Sequence, residues 1–211
     1  MAKLRYLASF GLALFIARSA ALGCTPGGVG DPCVPEDEYS ATFSGFGEAE
    51  ANVESQSLQC ETRVCIVNHF RGRVTCPYGQ TKDYLTANVS NANNVDGTPD
   101  PGSCYTPGSN AEAVKVAVDP QLLDRRAEDT VYCSCRCGGQ DKSAKYCTCP
   151  SGYSCSSLVP DLGLGREQLA GSYCIKNGTQ YNGNTGGPAC SFEAGNCPSD
   201  QAEKQTRNPP P

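Results

Sequence analysis

The cysteine spacing in YCSCRCGGQDKSAKYCTCPSGYSC, residues 132–155, decides the fold class of this chain. Its six cysteines follow the pattern C-x-C-x-C, then C-x-C, then C-x5-C. Cysteines this dense serve as thiolate metal ligands, as redox thiols, or as halves of disulfides in a chain with a small core. Zinc ribbons, haem attachment sites and thioredoxin-like sites use C-x-x-C, which occurs nowhere in the sequence. We therefore expect disulfides, with no metal and no cofactor.

Residues 1–23 have the order of a secretory signal peptide. Lys3 and Arg5 precede an uncharged apolar run at residues 7–17, and small residues follow it. This run is shorter than the roughly 20 residues that a bilayer-spanning helix needs. We therefore predict that the chain is exported to an oxidising compartment, where disulfides form and persist.

The signal segment ends in ALGCTPGG, residues 21–28, which resembles the lipobox of bacterial lipoproteins. Cys24 matches the lipobox cysteine, which is acylated and becomes the new N-terminus, and Gly23 matches the small residue before it. The two residues before Gly23 stand in the reverse of the family order, and ordinary signal cleavage is the alternative. The resemblance implies a lipid anchor in the membrane. Because Thr25 and not Asp follows the cysteine, it also implies sorting to the outer membrane.

The number of cysteines agrees with this interpretation. The chain has 15 cysteines, and setting Cys24 aside leaves 14, which can close into seven disulfides.

After the signal, Leu, Ile, Val and Phe make up 27 of 188 residues, well below the roughly 20% under which charged chains tend to be disordered. So small a core does not offset a chain entropy of about 1–2 kcal/mol per residue, whereas each disulfide contributes about 2–4 kcal/mol. The predicted disulfide cysteines are Cys33, Cys60, Cys65, Cys76, Cys104, Cys133, Cys135, Cys137, Cys147, Cys149, Cys155, Cys174, Cys190 and Cys197.

We predict a small disulfide-rich fold that is mainly β with long loops, short β-hairpins and one short helix. A hairpin joins RVCIVNHF, residues 63–70, to RVTC, residues 73–76. A strand at residues 113–118 precedes the helix, which Asp119 caps and Pro120 starts. The predicted order is a signal peptide (1–23), an acidic loop-rich lead-in (24–59), a Cys-framed β-hairpin lobe (60–79), an Asn/Gly/Pro-rich loop (80–112), a Cys-rich β lobe (113–176) with strands at 130–137, 146–149 and 171–176, and a loose tail (177–211).

Two of these strands, residues 131–137 and 146–149, predict a cysteine pairing. Alternation puts the cysteines of each strand on one face. One antiparallel register then opposes two pairs at about 4.5–5.5 Å between Cα atoms, which is within disulfide range. The alternative is an interlocked pattern in which each of these cysteines pairs outside the hairpin. The predicted pairs are Cys137–Cys147 and Cys135–Cys149, with Cys133 reaching Cys155 or a more distant partner.

The charge of the exported chain restricts its partners. The sequence has 17 basic and 22 acidic residues, and loss of the three basic residues of the signal leaves 14 against 22, a net charge of −8. An acidic surface argues against nucleic acid as a partner. Positive charge concentrates on the predicted hairpin, which could hold an anionic glycan. The alternative is a charged hairpin that keeps an edge strand from aggregating. The candidate anion-binding residues are Arg63, His69, Arg71 and Arg73.

His69, the only histidine, carries the alternative of catalysis. An exported hydrolase or thiol redox enzyme would use His69 as a general base or a free cysteine as a nucleophile. The sequence has no G-x-S-x-G motif, and pairing of the 14 cysteines would leave no thiolate for His69 to activate. We therefore expect a protein that is not an enzyme.

Three stretches together resemble uncharacterised cysteine-rich secreted lipoproteins of the myxobacterial type. They are CETRVCIVNHFRGRVTCPYGQ (60–80), VYCSCRCGG (131–139) and LAGSYCIKNGT (169–179). The resemblance implies a location at the cell surface and brings no catalytic residues with it. We expect a lipid-anchored surface protein whose disulfide-stapled domain has a structural or recognition role. Its expected partners are the membrane, through the anchor, and an anionic glycan or another surface protein.

Overall fold

The computed structural model describes residues 26–81, 103–108, 112–160, 169–191 and 194–197. The predicted signal peptide and Cys24 lie outside these residues, as does most of the predicted loop at 80–112. In chain order, the elements are a 3-10 helix (Glu36–Tyr39), β1 (Ala51–Glu54), β2 (Val64–Asn68), α1 (Ala127–Thr130), β3 (Val131–Ser134), β4 (Arg136–Gly138), β5 (Tyr153–Val159) and β6 (Gly171–Lys176).

The strands form two small antiparallel sheets. The first sheet has the order β1-β2-β3, and the second has the order β4-β6-β5. Only one α-helix is present in the described part of the chain, and long irregular segments connect the strands. The predicted fold class, small, disulfide-rich and mainly β, is confirmed.

Strand β2 is buried on both faces because the first sheet lies between two hydrophobic clusters. Cys65 and Val67 point into a cluster that also contains Phe46 and Phe70. Ile66, one position along, points to the opposite face, where the residues of the second sheet pack. The period-2 alternation of VCIVN therefore divides the core of this domain into two layers. The second cluster is Val53, Ile66, Tyr132, Leu158, Tyr173 and Ile175.

The predicted hairpin at residues 63–76 is wrong. Strand β2 pairs with β1 and β3 rather than with residues 73–76. His69 ends the strand with a left-handed backbone, φ 53°. The backbone of Gly72 then pairs with that of Phe46 through two hydrogen bonds of 2.9 Å. A Cβ atom at Gly72 would lie 2.3 Å from the carbonyl oxygen of Asp119, so this close approach requires glycine.

Three further element predictions are corrected. Residues 113–118 form no strand and make only isolated bridges, from Ala113 to Tyr105 and from Val118 to Gln80. The short helix is Ala127–Thr130, not the segment after Asp119, where Leu122 makes isolated bridges instead. Residues 146–149 are not a strand, and they run beside β4 through a hydrogen bond from Cys147 N to Arg136 O of 3.1 Å. The predicted strand at 171–176 is present with those bounds.

The predicted strand at 130–137 is split between the two sheets. Its first part, β3, pairs with β2, and its second part, β4, pairs with β6. Cys135 lies at the break, and its carbonyl oxygen accepts a hydrogen bond of 3.1 Å from Cys174 N. Because β2 and β3 come from the two predicted lobes, the first sheet joins those lobes.

Candidate functional site

The described residues include seven disulfides, and these contain all 14 cysteines predicted to pair. Each Cα–Cα separation lies between 5.3 and 6.3 Å, inside the usual range. The bonds are Cys33–Cys65, Cys60–Cys133, Cys76–Cys104, Cys135–Cys147, Cys137–Cys155, Cys149–Cys174 and Cys190–Cys197.

The predicted pairs Cys137–Cys147 and Cys135–Cys149 are wrong, whereas Cys133 has the more distant partner that the prediction allowed, Cys60, and not Cys155. The prediction needed one continuous strand through Cys133, Cys135 and Cys137. The chain instead changes sheets at Cys135, so Cys133 stays in the first sheet and bonds Cys60. Strand β6 brings Cys174 close to the segment after β4, where Cys174 forms a disulfide with Cys149.

Among the described residues, the disulfides remove the cysteine nucleophile that a thiol mechanism at His69 would need. Within the described ranges every cysteine is bonded to another cysteine, so no thiolate is available there for a histidine to activate. Three groups of three sulfur atoms lie within 4.8 Å of one another. Their members are halves of disulfides and not thiolates, which are the form that binds a metal.

Arg73 is buried and does not belong to the candidate anion-binding surface. Its side chain is 0% exposed, and its guanidinium donates hydrogen bonds to the carbonyl oxygens of Glu38, Ser40 and Phe43. The Glu38 carboxylate lies 3.9 Å from Arg73 Nε and accepts hydrogen bonds from the backbone N–H and the hydroxyl of Thr75. Burial raises the pKa of Glu38 above its ordinary value, against the lowering effect of these hydrogen bonds and of Arg73. The pair holds the loop around Glu38 against the turn at Arg73.

The other three candidate residues are separated by their local contacts. Arg71 is half-buried, and its Nε donates a hydrogen bond of 2.9 Å to the carbonyl oxygen of Pro120. Arg63 is exposed, in a turn with φ 63°. His69 is half-buried at the far end of β2. Of the four candidate anion-binding residues, only Arg63 is exposed to solvent.

His69 lies in a polar cluster that the sequence did not indicate. Its ring stacks on Tyr181 with centroids 3.8 Å apart and planes 12° apart, and its Nδ1 is 3.2 Å from the carbonyl oxygen of Glu48. The Arg125 guanidinium lies over the same tyrosine ring at 5.5 Å, and its Nε donates to His69 O at 2.7 Å. Burial lowers the pKa of His69, and Arg125 adds to that effect. These partners are 21 to 112 positions away in sequence, so no local pattern could reveal them.

A cavity of about 380 Å³ lies beside β4, β5 and the start of β6. Arg136, Gln140 and Asp141 contribute polar side chains to its lining. The Arg136 guanidinium donates a hydrogen bond to the carbonyl oxygen of Ala170 and lies 5.7 Å from the centre of the Tyr146 ring. These contacts show that the arginine orders the wall of the cavity.

No family model matches the sequence, and no match is found among curated proteins or solved structures. The resemblance to cysteine-rich lipoproteins therefore stays a prediction. Among the residues that the structure describes, no helix has the length and apolar character needed to cross a bilayer. The disulfide content indicates an oxidising environment, as in exported and extracellular proteins.

Proposed function

We propose that this protein is a lipid-anchored cell-surface protein of the outer membrane, with a disulfide-stapled domain that has a structural or recognition role. One observation carries the anchor: the other 14 cysteines bond one another, which leaves Cys24 without a disulfide partner in this chain. An acylated cysteine needs no such partner. An anchor of two or more acyl chains holds a protein stably, whereas one chain binds only marginally.

The surroundings of His69 support a role without catalysis. A general base needs an imidazole that can reach a substrate and a nucleophile. Here the ring is stacked on Tyr181 and bonded to the Glu48 backbone, and the cysteines nearby in sequence, Cys65 and Cys76, are both in disulfides. Structural packing accounts for each of these contacts. The proposed partners are the membrane and an anionic glycan or another surface protein.

Detergent-phase partitioning of protein expressed in a Gram-negative host tests the anchor. We expect the wild-type protein in the detergent phase, with an N-terminal peptide whose mass shows an acylated Cys24. Cys24→Ser should move to the aqueous phase. The double variant Cys190→Ser/Cys197→Ser, which also loses cysteines but keeps Cys24, is the matched control and should remain in the detergent phase. Detergent partitioning of Cys24→Ser would show that the anchor is wrong.

Binding to an acidic polysaccharide such as alginate at low salt tests the recognition role. Arg63 is the exposed member of the candidate set, so Arg63→Ser should weaken binding several-fold, and added salt should weaken binding to the wild type. Lys142→Ser removes an exposed charge from a different turn and should leave binding unchanged. Equal binding by both variants would remove Arg63 from the site, and no wild-type binding would remove glycan as the partner.

A further inference from the structure

Three disulfides of the second sheet are in direct contact. Cys174 Sγ lies 3.6 Å from Cys135 Sγ and 3.7 Å from Cys147 Sγ, although Cys174 is bonded to Cys149. The sulfur atoms of Cys137, Cys149 and Cys174 also lie within 4.8 Å of one another. Cys174 therefore belongs to two sulfur groups. The bonds that meet there, which we call the exposed sulfur cluster, are Cys135–Cys147, Cys137–Cys155 and Cys149–Cys174.

Cys155 and Cys174 are directly opposed on β5 and β6, yet they are not bonded to each other. The Cys174 N–H donates to the Cys135 carbonyl oxygen, and the Cys174 carbonyl oxygen accepts from the Ser134 hydroxyl. Both backbone polar groups of Cys174 thus face away from β5, which makes Cys155 and Cys174 a non-hydrogen-bonded pair. Such pairs have Cα atoms about 4.5 Å apart, close enough for a disulfide.

A second pairing of the same four cysteines is therefore within reach. It consists of Cys155–Cys174 across β5 and β6, and of Cys137–Cys149, whose sulfur atoms already lie within 4.8 Å. In the observed pairing, Cys149 ties the segment before β5 to β6. In the second pairing, the same segment would be tied to β4 instead. The two pairings contain the same number of bonds and differ only in partners.

We propose that the exposed sulfur cluster is a thiol–disulfide exchange site, where a small thiol interconverts these two pairings. A thiolate such as that of glutathione attacks the sulfur of Cys155, the exposed end of the cluster, and expels the Cys137 thiolate. Cys137 attacks Cys149, forms Cys137–Cys149 and expels the Cys174 thiolate. Cys174 then attacks Cys155 in the mixed disulfide, forms Cys155–Cys174 and releases the small thiolate. No electrons are gained or lost, and the small thiol is regenerated.

The third bond of the cluster, Cys135–Cys147, is expected to persist through this exchange. Displacement at sulfur requires the thiolate to approach along the axis of the bond that breaks. Once released, Cys137 must therefore turn its side chain to meet Cys149–Cys174, because its sulfur lies within 4.8 Å of both sulfur atoms of that bond. Cys174 Sγ lies beside Cys135–Cys147, almost equally far from both of its sulfur atoms. Cys137 is half-buried, whereas Cys135 and Cys174 are buried, so the turn into line is easier for Cys137 than for Cys174.

Peptide mapping without reduction tests the exchange. The native protein is incubated with reduced glutathione at pH 8, quenched by alkylation, and cleaved after Arg136, Lys145, Tyr153 and Arg166. This cleavage places Cys147 and Cys149 on one peptide and separates it from the peptides of Cys137, Cys155 and Cys174. We expect the native links of the Cys149 peptide to Cys174, and of Cys137 to Cys155, to be lost in equal amounts. Links of the Cys147/Cys149 peptide to Cys137 and of Cys155 to Cys174 should replace them, while the link of the Cys147/Cys149 peptide to Cys135 persists.

Two double variants keep the proposal falsifiable. Cys137→Ala/Cys155→Ala lacks the bond that the thiol opens, so glutathione should no longer expose Cys174 to alkylation. Cys190→Ala/Cys197→Ala lacks a bond outside the cluster and should exchange as the wild type does. If glutathione opens Cys190–Cys197 in the wild type while the four cluster cysteines keep their native links, the proposal is wrong. Equal alkylation of Cys174 in wild type and Cys137→Ala/Cys155→Ala would also overturn it.

Discussion

The two sheets place similar cysteine arrangements in different solvent environments. Each sheet has one directly opposed cysteine pair, Cys65 with Cys133 in the first and Cys155 with Cys174 in the second, and in neither are the opposed residues bonded to each other. In the first sheet every cysteine of the two disulfides is at most 2% exposed and forms part of a hydrophobic cluster. In the second sheet Cys155 is exposed.

This difference shows that a disulfide has two roles in a domain with few large apolar residues. In the first sheet the sulfur atoms replace the missing side chains of the core, because they pack among Phe46, Val67 and Phe70. In the second sheet the disulfides are partly exposed to solvent and contribute less packing. They stabilise the fold mainly by restricting the conformations of the unfolded chain. The same chemical bond thus contributes packing in one place and chain restriction in the other.

The largest effect should come from opening the buried bond of the first sheet. Cys60–Cys133 closes a separation of 73 residues and Cys137–Cys155 one of 18. Chain entropy alone then predicts that Cys60→Ala/Cys133→Ala costs about 4 kcal/mol and Cys137→Ala/Cys155→Ala about 3 kcal/mol. Lost packing increases only the first value. Urea unfolding without reductant measures both losses of stability. A larger loss for Cys137→Ala/Cys155→Ala than for Cys60→Ala/Cys133→Ala would contradict the proposed difference between the two sheets.

Arg73 offers a second measure of the buried region. Arg73→Met leaves the Glu38 carboxylate buried without its cation and leaves the carbonyl oxygens of Ser40 and Phe43 without these donors. Loss of one member of a buried ion pair costs about 3–5 kcal/mol. The matched control is Arg63→Met, which changes an exposed arginine and should stay within about 0.5 kcal/mol of the wild type. Similar urea midpoints for the two variants would contradict the structural role of Arg73.

The contact between His69 and Tyr181 predicts a smaller effect that depends on pH. Burial holds the pKa of folded His69 below its ordinary value of 6.5, so the unfolded state binds the proton more tightly. This contribution to stability is present above pH 6.5 and is lost as the pH falls through the folded pKa. Glu48, Arg125 and Tyr181 are the ionisable neighbours of the ring. Acidification from pH 8 to pH 5 should therefore destabilise the wild type more than His69→Phe.

Comparing the two proteins at each pH cancels the common titration of other groups, including Glu38, and any constant cost of phenylalanine at the left-handed His69 position. The measured quantity is the difference between the two free energies of unfolding as a function of pH. A difference that is constant between pH 5 and pH 8 would show that His69 is not linked to folding.

Local composition predicted two of the strands. GSYCIK predicted β6 with its bounds, and RVCIVNHF, residues 63–70, predicted a strand that contains β2. The hairpin failed because Arg71 and Gly72 are not a free turn. Gly72 is paired with Phe46 and lies against Asp119, and neither contact is visible in the local sequence. The helix failed because Asp119 and Pro120 pack against the Gly72 turn instead of starting a helix.

The candidate site shows the same limit. Four basic residues within eleven positions predicted one positive surface. The guanidinium of Arg73 instead satisfies three carbonyl oxygens in the interior, and Arg71 is bonded to Pro120. Proximity in sequence placed these residues together, but strand direction and burial decided which of them meets solvent.

The sequence by itself determined that this domain depends on disulfides. With fourteen cysteines and very few large apolar residues, the core is too small to stabilise the fold without cross-links, and that balance does not depend on the details of the fold. The partner of each cysteine was decided only by the tertiary structure. The change of sheet at Cys135, and the arrival of Cys174 on β6 from almost forty residues away, set which sulfur atoms meet. Disulfides form between sulfur atoms that packing brings together, and sequence spacing constrains that packing only within one strand.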